Sequence, residues 1–156
     1  MKKFLFLFLF LSLTYYSFSD QFNLEADTET VSLHFDSINL NTTINFQNND
    51  VVMSKINSYL TKDKKLLSKM LTLSKYYFPI FESYLDKYNL PFELKYLAIV
   101  ESSLNTLARS KSGARGLWQF MYPTGKAYDL NVNSYIDERL DPHKSTEAAC
   151  KYFLKL

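Results

Sequence analysis

From Asp50 onward the apolar residues keep a helical period. Val52, Ile56 and Leu60 recur at four-residue spacing, and Leu66, Leu67, Met70 and Leu71 continue the stripe, as on one face of an α-helix. Tyr76 to Tyr88 carries another stripe through Phe78, Phe81 and Leu85, interrupted early by Pro79. Leu90-Pro91 signals a helix start, because proline is tolerated at the first helical position, and this helix is expected to run to about Ser103. Gly113 and Gly116 then break regularity, and Pro123-Thr124-Gly125 marks another boundary. Asp141-Pro142 offers an N-cap followed by an N1 proline for a last helix through Ala148, Ala149, Tyr152 and Phe153. No strand pattern holds after Asp50. The predicted class is all-α.

The chain before Asp50 reads differently. Lys2 and Lys3 precede an apolar run from Phe4 to Leu13, roughly ten residues, and Ser17 and Ser19 fit a cut before Asp20. A bilayer span needs about 20 apolar residues, so residues 1–19 read as a secretory signal. Export to the periplasm or cell envelope is expected, with membrane contact only through an uncleaved signal. Residues 20–50 hold no Lys or Arg before Asp50 and are rich in Asn, Asp, Thr and Ser. The alternation in Thr30–Phe35 hints at a strand with nothing to pair with, so this stretch reads as a flexible linker. Residues 51–156 are left as the folded domain.

A chain of 156 residues has room for one compact domain. Its aromatic share of 17% is high and suits either a core or the stacking of sugar rings. Loss of Lys2 and Lys3 would take the 18 basic residues to 16, matching the 16 acidic ones. Such a chain has no surplus positive charge to neutralise phosphates, so nucleic acid is not an expected partner. The single cysteine, Cys150, excludes an internal disulfide, and its apolar helical setting predicts burial. His34 and His143 lack partners at metal-ligand spacing, so neither a metal site nor a cofactor is expected.

Candidate chemistry lies on the Pro91 helix. Leu94, Leu97, Ala98 and Glu101 fall at offsets 0, 3, 4 and 7, so a regular helix puts them on one face. Desolvation at the end of that stripe, and the negative end of the helix dipole, would raise the pKa of Glu101 toward that of a general acid. The plainer alternative is a carboxylate frayed into solvent or paired with an arginine, and periodicity alone does not decide between them. Downstream, Ser110, Gly113, Ala114, Gly116, Leu117, Trp118 and Gln119 form a stretch holding two of the three glycines. It reads either as a turn with a core tryptophan or as a loop shaped for close substrate approach.

The run Leu90-Pro91-Phe92-Glu93-Leu94-Lys95-Tyr96-Leu97-Ala98-Ile99-Val100-Glu101-Ser102-Ser103 resembles the catalytic helix of soluble-lytic-transglycosylase (SLT) domains. Gly113-Ala114-Arg115-Gly116-Leu117-Trp118-Gln119-Phe120-Met121 is similar to that family's second motif, and Tyr135-Ile136-Asp137-Glu138-Arg139 with Asp141-Pro142 is similar to a later one. The resemblance covers roughly residues 51–156 and implies a lysozyme-like helical fold. It implies the glycan strands of peptidoglycan as substrate, Glu101 as catalytic acid/base, and Ser110, Gln119, Ser102 and Trp118 as substrate-binding residues. Most glycosidases use two carboxyl groups. This family is taken to use one, because the C6 hydroxyl of muramic acid closes onto C1.

The resemblance is incomplete. Thr106 stands where proline is usual and Asp129 where glycine is usual; a non-glycine at a positive-φ position costs about 1 kcal/mol. The Ala-Tyr-Asn run of the family's third motif is absent, so the match is expected to cover only the N-terminal part of a catalytic domain. Tyr152, Phe153 and Leu156 are then expected to form an uncovered apolar face. A non-catalytic peptidoglycan-binding module and a hydrolytic muramidase of the same fold remain the alternatives.

Overall fold

The computed structural model describes residues 50–156. The expected export signal and all of the expected linker but Asp50 lie outside the described residues. Two compact units follow one another along the chain, the first ending at Leu71 and the second comprising Thr72–Leu156. Among the described residues there are helices and isolated bridges but no strand, and no helix is long and apolar enough to cross a membrane.

In the first unit, α1 (Asp50–Thr61) follows the predicted stripe and buries Ile56 and Leu60. A tight turn at Lys62 and Asp63, whose amides both donate to the carbonyl of Ser58, leads into α2 (Lys64–Lys87). The stripe through Leu66 to Leu71 and the one over Tyr76 to Tyr88, which Pro79 was expected to interrupt, form a single helix of 24 residues. Proline in a helix interior removes one backbone donor and costs about 3 kcal/mol. Burial of Phe78, Phe81 and Leu85 along the same helix outweighs that, at about 1.5–3 kcal/mol for each large side chain.

The second unit begins within α2, and the turn after that helix is set by Asn89. That residue takes φ 52°, the Leu90 amide donates to Leu85 O at 2.9 Å and the Asn89 amide to Asp86 O at 2.9 Å. This is the left-handed cap that asparagine tolerates better than most residues, followed by the helix-stopping Pro91. The predicted single helix from Pro91 is in fact two pieces: a 3₁₀ turn over Phe92–Tyr96 and then α3 (Leu97–Ser102). The three-per-turn winding rotates Leu94 by about 60° relative to a regular helix, which still leaves it within about 40° of Glu101 around the axis. The buried residues are Ala98 and Ile99, whereas Glu101 is exposed.

Two further helices complete the unit, α4 (Tyr122–Ala127) and α5 (Pro142–Phe153). Asp141 caps α5 as predicted, its carboxylate accepting from the amides of His143 and Lys144 at 2.8 Å each. Asp129 takes φ 66° at the end of α4, where the Leu130 amide bonds to Gly125 O at 2.9 Å. It is the glycine-like position expected from sequence, occupied by a residue that visits the left-handed region at modest cost. Helix α5 buries Ala148, Ala149 and Cys150. Burial pushes the Cys150 thiol up to about 11, the signature of an inert packed cysteine. The expected uncovered face at the end of α5 holds for Leu156 and partly for Tyr152, but not for Phe153. Its ring is half-buried and packs edge-on against Trp118, centroids 5.8 Å apart.

Candidate active site

Helix α3 ends abruptly after Ser102. Ser103 and Leu104 are consecutive non-glycine residues at positive φ, 53° and 60°, a strain of about 1–2 kcal/mol each. Leu104 offsets it by being 1% exposed in the core. The reversal leaves Glu101 in the last turn, with the chain led away from its carboxylate. Glu101 has no hydrogen-bond or ion-pair partner among the described residues, so the arginine-paired alternative is not what forms. The burial that would desolvate it is also missing, because Glu101 is exposed. Within α3 Glu101 follows the buried Ala98 by three residues and so lies on that side of the helix; its exposure comes with its place in the last turn, beside the cleft.

Glu101 opens onto a cleft of about 260 Å³ lined also by Trp118, Gln119, Phe120, Met121, Thr124, Ala149, Tyr152 and Phe153. Three sequence-predicted site residues are thereby brought together: Glu101, Trp118 and Gln119. Glu101 is the one carboxylate among the lining residues. A wider depression along α1, lined by Asp50, Val51, Ser54, Lys55 and Ser58, holds none of the expected site residues.

Trp118 sits in the cleft wall but is committed to the core. It is 8% exposed, its ring lies 5.0 Å from that of Phe81, and its Nε1 donates to Thr146 Oγ1 at 3.0 Å. Gln119 takes φ 49° and turns its amide nitrogen back onto Gly116 O at 2.9 Å and Ala108 O at 3.4 Å. Both partners are carbonyls, so Oε1 is the acceptor left to that side chain.

Ser102 and Ser110 are not among the lining residues. The Ser102 hydroxyl donates to Ala98 O at 2.9 Å, one turn back along α3. Ser110 Oγ accepts from the Ala114 amide at 3.0 Å and lies 3.0 Å from Ser112 Oγ, closing the loop Arg109–Phe120 at its base. Short hydroxyl side chains bond readily to nearby backbone, and here both do so.

Several lining residues were not among the expected site residues. Ala149, Tyr152 and Phe153 fall at i, i+3 and i+4 on α5, a spacing that placed them on one face without saying what that face meets. Phe120 and Met121 follow directly on Gln119, and Thr124 carried no signal. Arg139, which the sequence shows only as the end of a motif run, is not one of the expected site residues. It is buried at 6% and forms a fork with Asp137, Nε to Oδ1 and Nη2 to Oδ2 at 2.8 Å each. Arg115 Nη1 adds a bond to Asp137 Oδ2 at 3.1 Å. The Arg139 hydrogen bond and charge hold the Asp137 carboxyl below its ordinary range.

Residues 78–156, just over half of the chain, match the sequence profile of the transglycosylase SLT domain. The chain belongs to this family. Its helices fit the family's all-α, lysozyme-like class. Over 108 residues it is 32% identical to membrane-bound lytic murein transglycosylase D of Escherichia coli (strain K12), an alignment covering 69% of this chain and 24% of that protein. The same figures hold for the protein of that name from Escherichia coli O6:H1 (strain CFT073). A protein of Alteromonas sp. (strain M-1) named for resistance to tributyltin chloride is 36% identical over 67 residues, 43% of this chain and 32% of that protein. The chain thus spans about a quarter of the length of the murein transglycosylases it matches.

Proposed function

We propose that this domain is a lytic transglycosylase that cleaves the β-1,4 bond between N-acetylmuramic acid and N-acetylglucosamine in bacterial peptidoglycan. Glu101 protonates the leaving glycosidic oxygen and then takes the proton of the muramic acid C6 hydroxyl as that oxygen closes onto C1. The products are a free N-acetylglucosamine hydroxyl and a 1,6-anhydro end, with no water consumed. The observation that supports this reading is a cleft that gathers Glu101, Trp118 and Gln119, from two SLT-like motifs, along one wall.

Glu101 is exposed at the cleft, where a bound sugar can reach its carboxyl directly. Gln119 offers Oε1 to the glycan, and Trp118 backs the wall from the core. Ser102 and Ser110 serve the substrate through the α3 end and the loop base that they hold. In this reading residues 1–19 direct export, residues 20–50 tether the domain, and residues 51–156 act on the cell wall during its turnover.

The exposure of Glu101 also favours a second reading, in which water rather than the C6 hydroxyl reaches C1 and the domain is a muramidase. Mass spectrometry of digested peptidoglycan separates the two. Anhydro-muramic ends, each one water lighter than a reducing end, are expected; reducing muramic ends alone would replace transglycosylation by hydrolysis.

A further inference from the structure

All three glycines of the chain meet one residue. A Cβ on Gly116 would stand 1.8 Å from the backbone carbonyl oxygen of Arg139, and one on Gly125 would meet Arg139 Cγ and Cδ at 3.3 Å. The carbonyl of Gly113 accepts from Arg139 Nη1 at 3.2 Å. The same Nη1 reaches Phe120 O at 3.3 Å, while Nε and Nη2 hold the Asp137 carboxylate. A buried guanidinium is tolerated when its planar fork is matched in this way. The loop Arg109–Phe120 is thus moulded onto Arg139 at several points.

Gln119 lies between two of those points. Its own amide and its Nε2 both donate to Gly116 O, at 3.3 and 2.9 Å. Phe120, the next residue, exchanges backbone hydrogen bonds with Arg115 at 3.0 Å each way and gives its carbonyl to Arg139 as well. Gly116 abuts the Arg139 backbone and Phe120 is bonded to the Arg139 guanidinium, so the direction of the Gln119 side chain follows from where Arg139 is held. Arg139 itself is absent from the lining of the cleft.

We propose that Arg139, locked by Asp137, is a positioning residue for the glycan site and acts through Gly116 and Phe120 to hold Gln119 toward the substrate. This rests on the proposed function only in taking glycan as the ligand. It differs from a purely stabilising role in one measurable respect: the effect of Arg139 on the folded enzyme must pass through Gln119.

A double-mutant cycle tests it. Arg139→Lys keeps the charge and loses the fork, Gln119→Ala removes the group it positions, and each is compared with the double variant. The substrate is soluble uncrosslinked glycan strands, and all assays run well below the lowest melting temperature in the set. Two readouts are taken: kcat/KM for cleavage, and glycan affinity in a Glu101→Gln background from the fluorescence of Trp118, the sole tryptophan. Each single variant is expected to lose about tenfold, the value of one positioned hydrogen bond. The double variant is expected to lose no more than about twofold beyond the worse single one. Losses that multiply to about a hundredfold mean independent action and overturn the inference. Should Arg139→Lys not fold, Asp137→Asn takes its place in the cycle, since it releases the same fork. A chain that binds glycan without cutting it removes the transglycosylase reading and leaves the cycle to be read from affinity. A chain that neither binds nor cuts overturns both.

Discussion

Trp118 and Thr146 are joined through the core: the indole Nε1 donates to Thr146 Oγ1 at 3.0 Å, and that hydroxyl donates to the Pro142 carbonyl at 2.5 Å. Thr146 is 0% exposed, so the pair links the loop that carries Gln119 to the first turns of α5 without help from solvent. The aromatic wall of the cleft is thereby fixed from behind by one hydroxyl.

Replacing that hydroxyl by a methyl tests the link. Thr146→Val keeps the shape and leaves the Trp118 N–H buried without its partner, which costs about 1–3 kcal/mol. Urea unfolding followed by Trp118 emission is expected to show that loss in Thr146→Val and much less in Thr146→Ser. Equal stability of Thr146→Val and the parent would mean that the bond carries no weight.

The two glycines of the loop should respond very differently to alanine. Both have positive φ, 88° for Gly113 and 81° for Gly116, so each substitution carries a backbone strain of about 1–2 kcal/mol. At Gly113 nothing lies within 4 Å of the added carbon, and the strain is the whole effect. At Gly116 the carbon collides with backbone at 1.8 Å, so the loop must leave Arg139. Gly113→Ala is expected to fold with a modest drop in melting temperature, and Gly116→Ala to lose most of its cooperative unfolding transition. Similar curves for the two would contradict the close approach.

Asp137 sets the acid limit of stability. Its carboxyl is held below the ordinary value of 3.8, first by the hydrogen bond from Arg139. A lowered folded pKa means that stabilisation is complete above the unfolded value and is lost as pH falls through the folded one. Stability is therefore expected to fall steeply below about pH 4. Asp137→Asn should be less stable at neutral pH and show a flatter acid limb, read from urea midpoints between neutral pH and strong acid. Glu147, lowered by Lys87 and Tyr88 but more exposed, adds a smaller part. Parallel acid limbs for parent and variant would assign the acid sensitivity elsewhere.

What could be read in advance was whatever depends on neighbours in sequence. Asp141-Pro142 announces α5 because an N-cap and an N1 proline act within one turn, and the glycine-like demand at Asp129 is likewise local. Pro79 misleads, because its cost is local while the burial of Phe81 and Leu85 that outweighs it is tertiary. The burial of Glu101 was misjudged for a related reason: the period gives its side of the helix, whereas what covers the last turn of α3 is tertiary. The family motifs named Glu101, Trp118 and Gln119, which the fold brings to one cleft, but could not tell that the hydroxyls of Ser102 and Ser110 bond to the backbone of Ala98 and Ala114. Arg139 was hidden because its three glycine neighbours lie 14 to 26 residues away in the chain.

The most direct test of the proposed chemistry is cleavage of purified peptidoglycan by Glu101→Gln beside the parent, with glycan binding followed in both through Trp118 fluorescence. Glutamine preserves the shape of the side chain, so binding and melting temperature should stay close to the parent. Proton transfer is lost, so the rate of release of anhydro-muramic products should fall by ~10² to 10⁴-fold at least. A Glu101→Gln protein that releases those products at the parent rate would show that another residue does the chemistry.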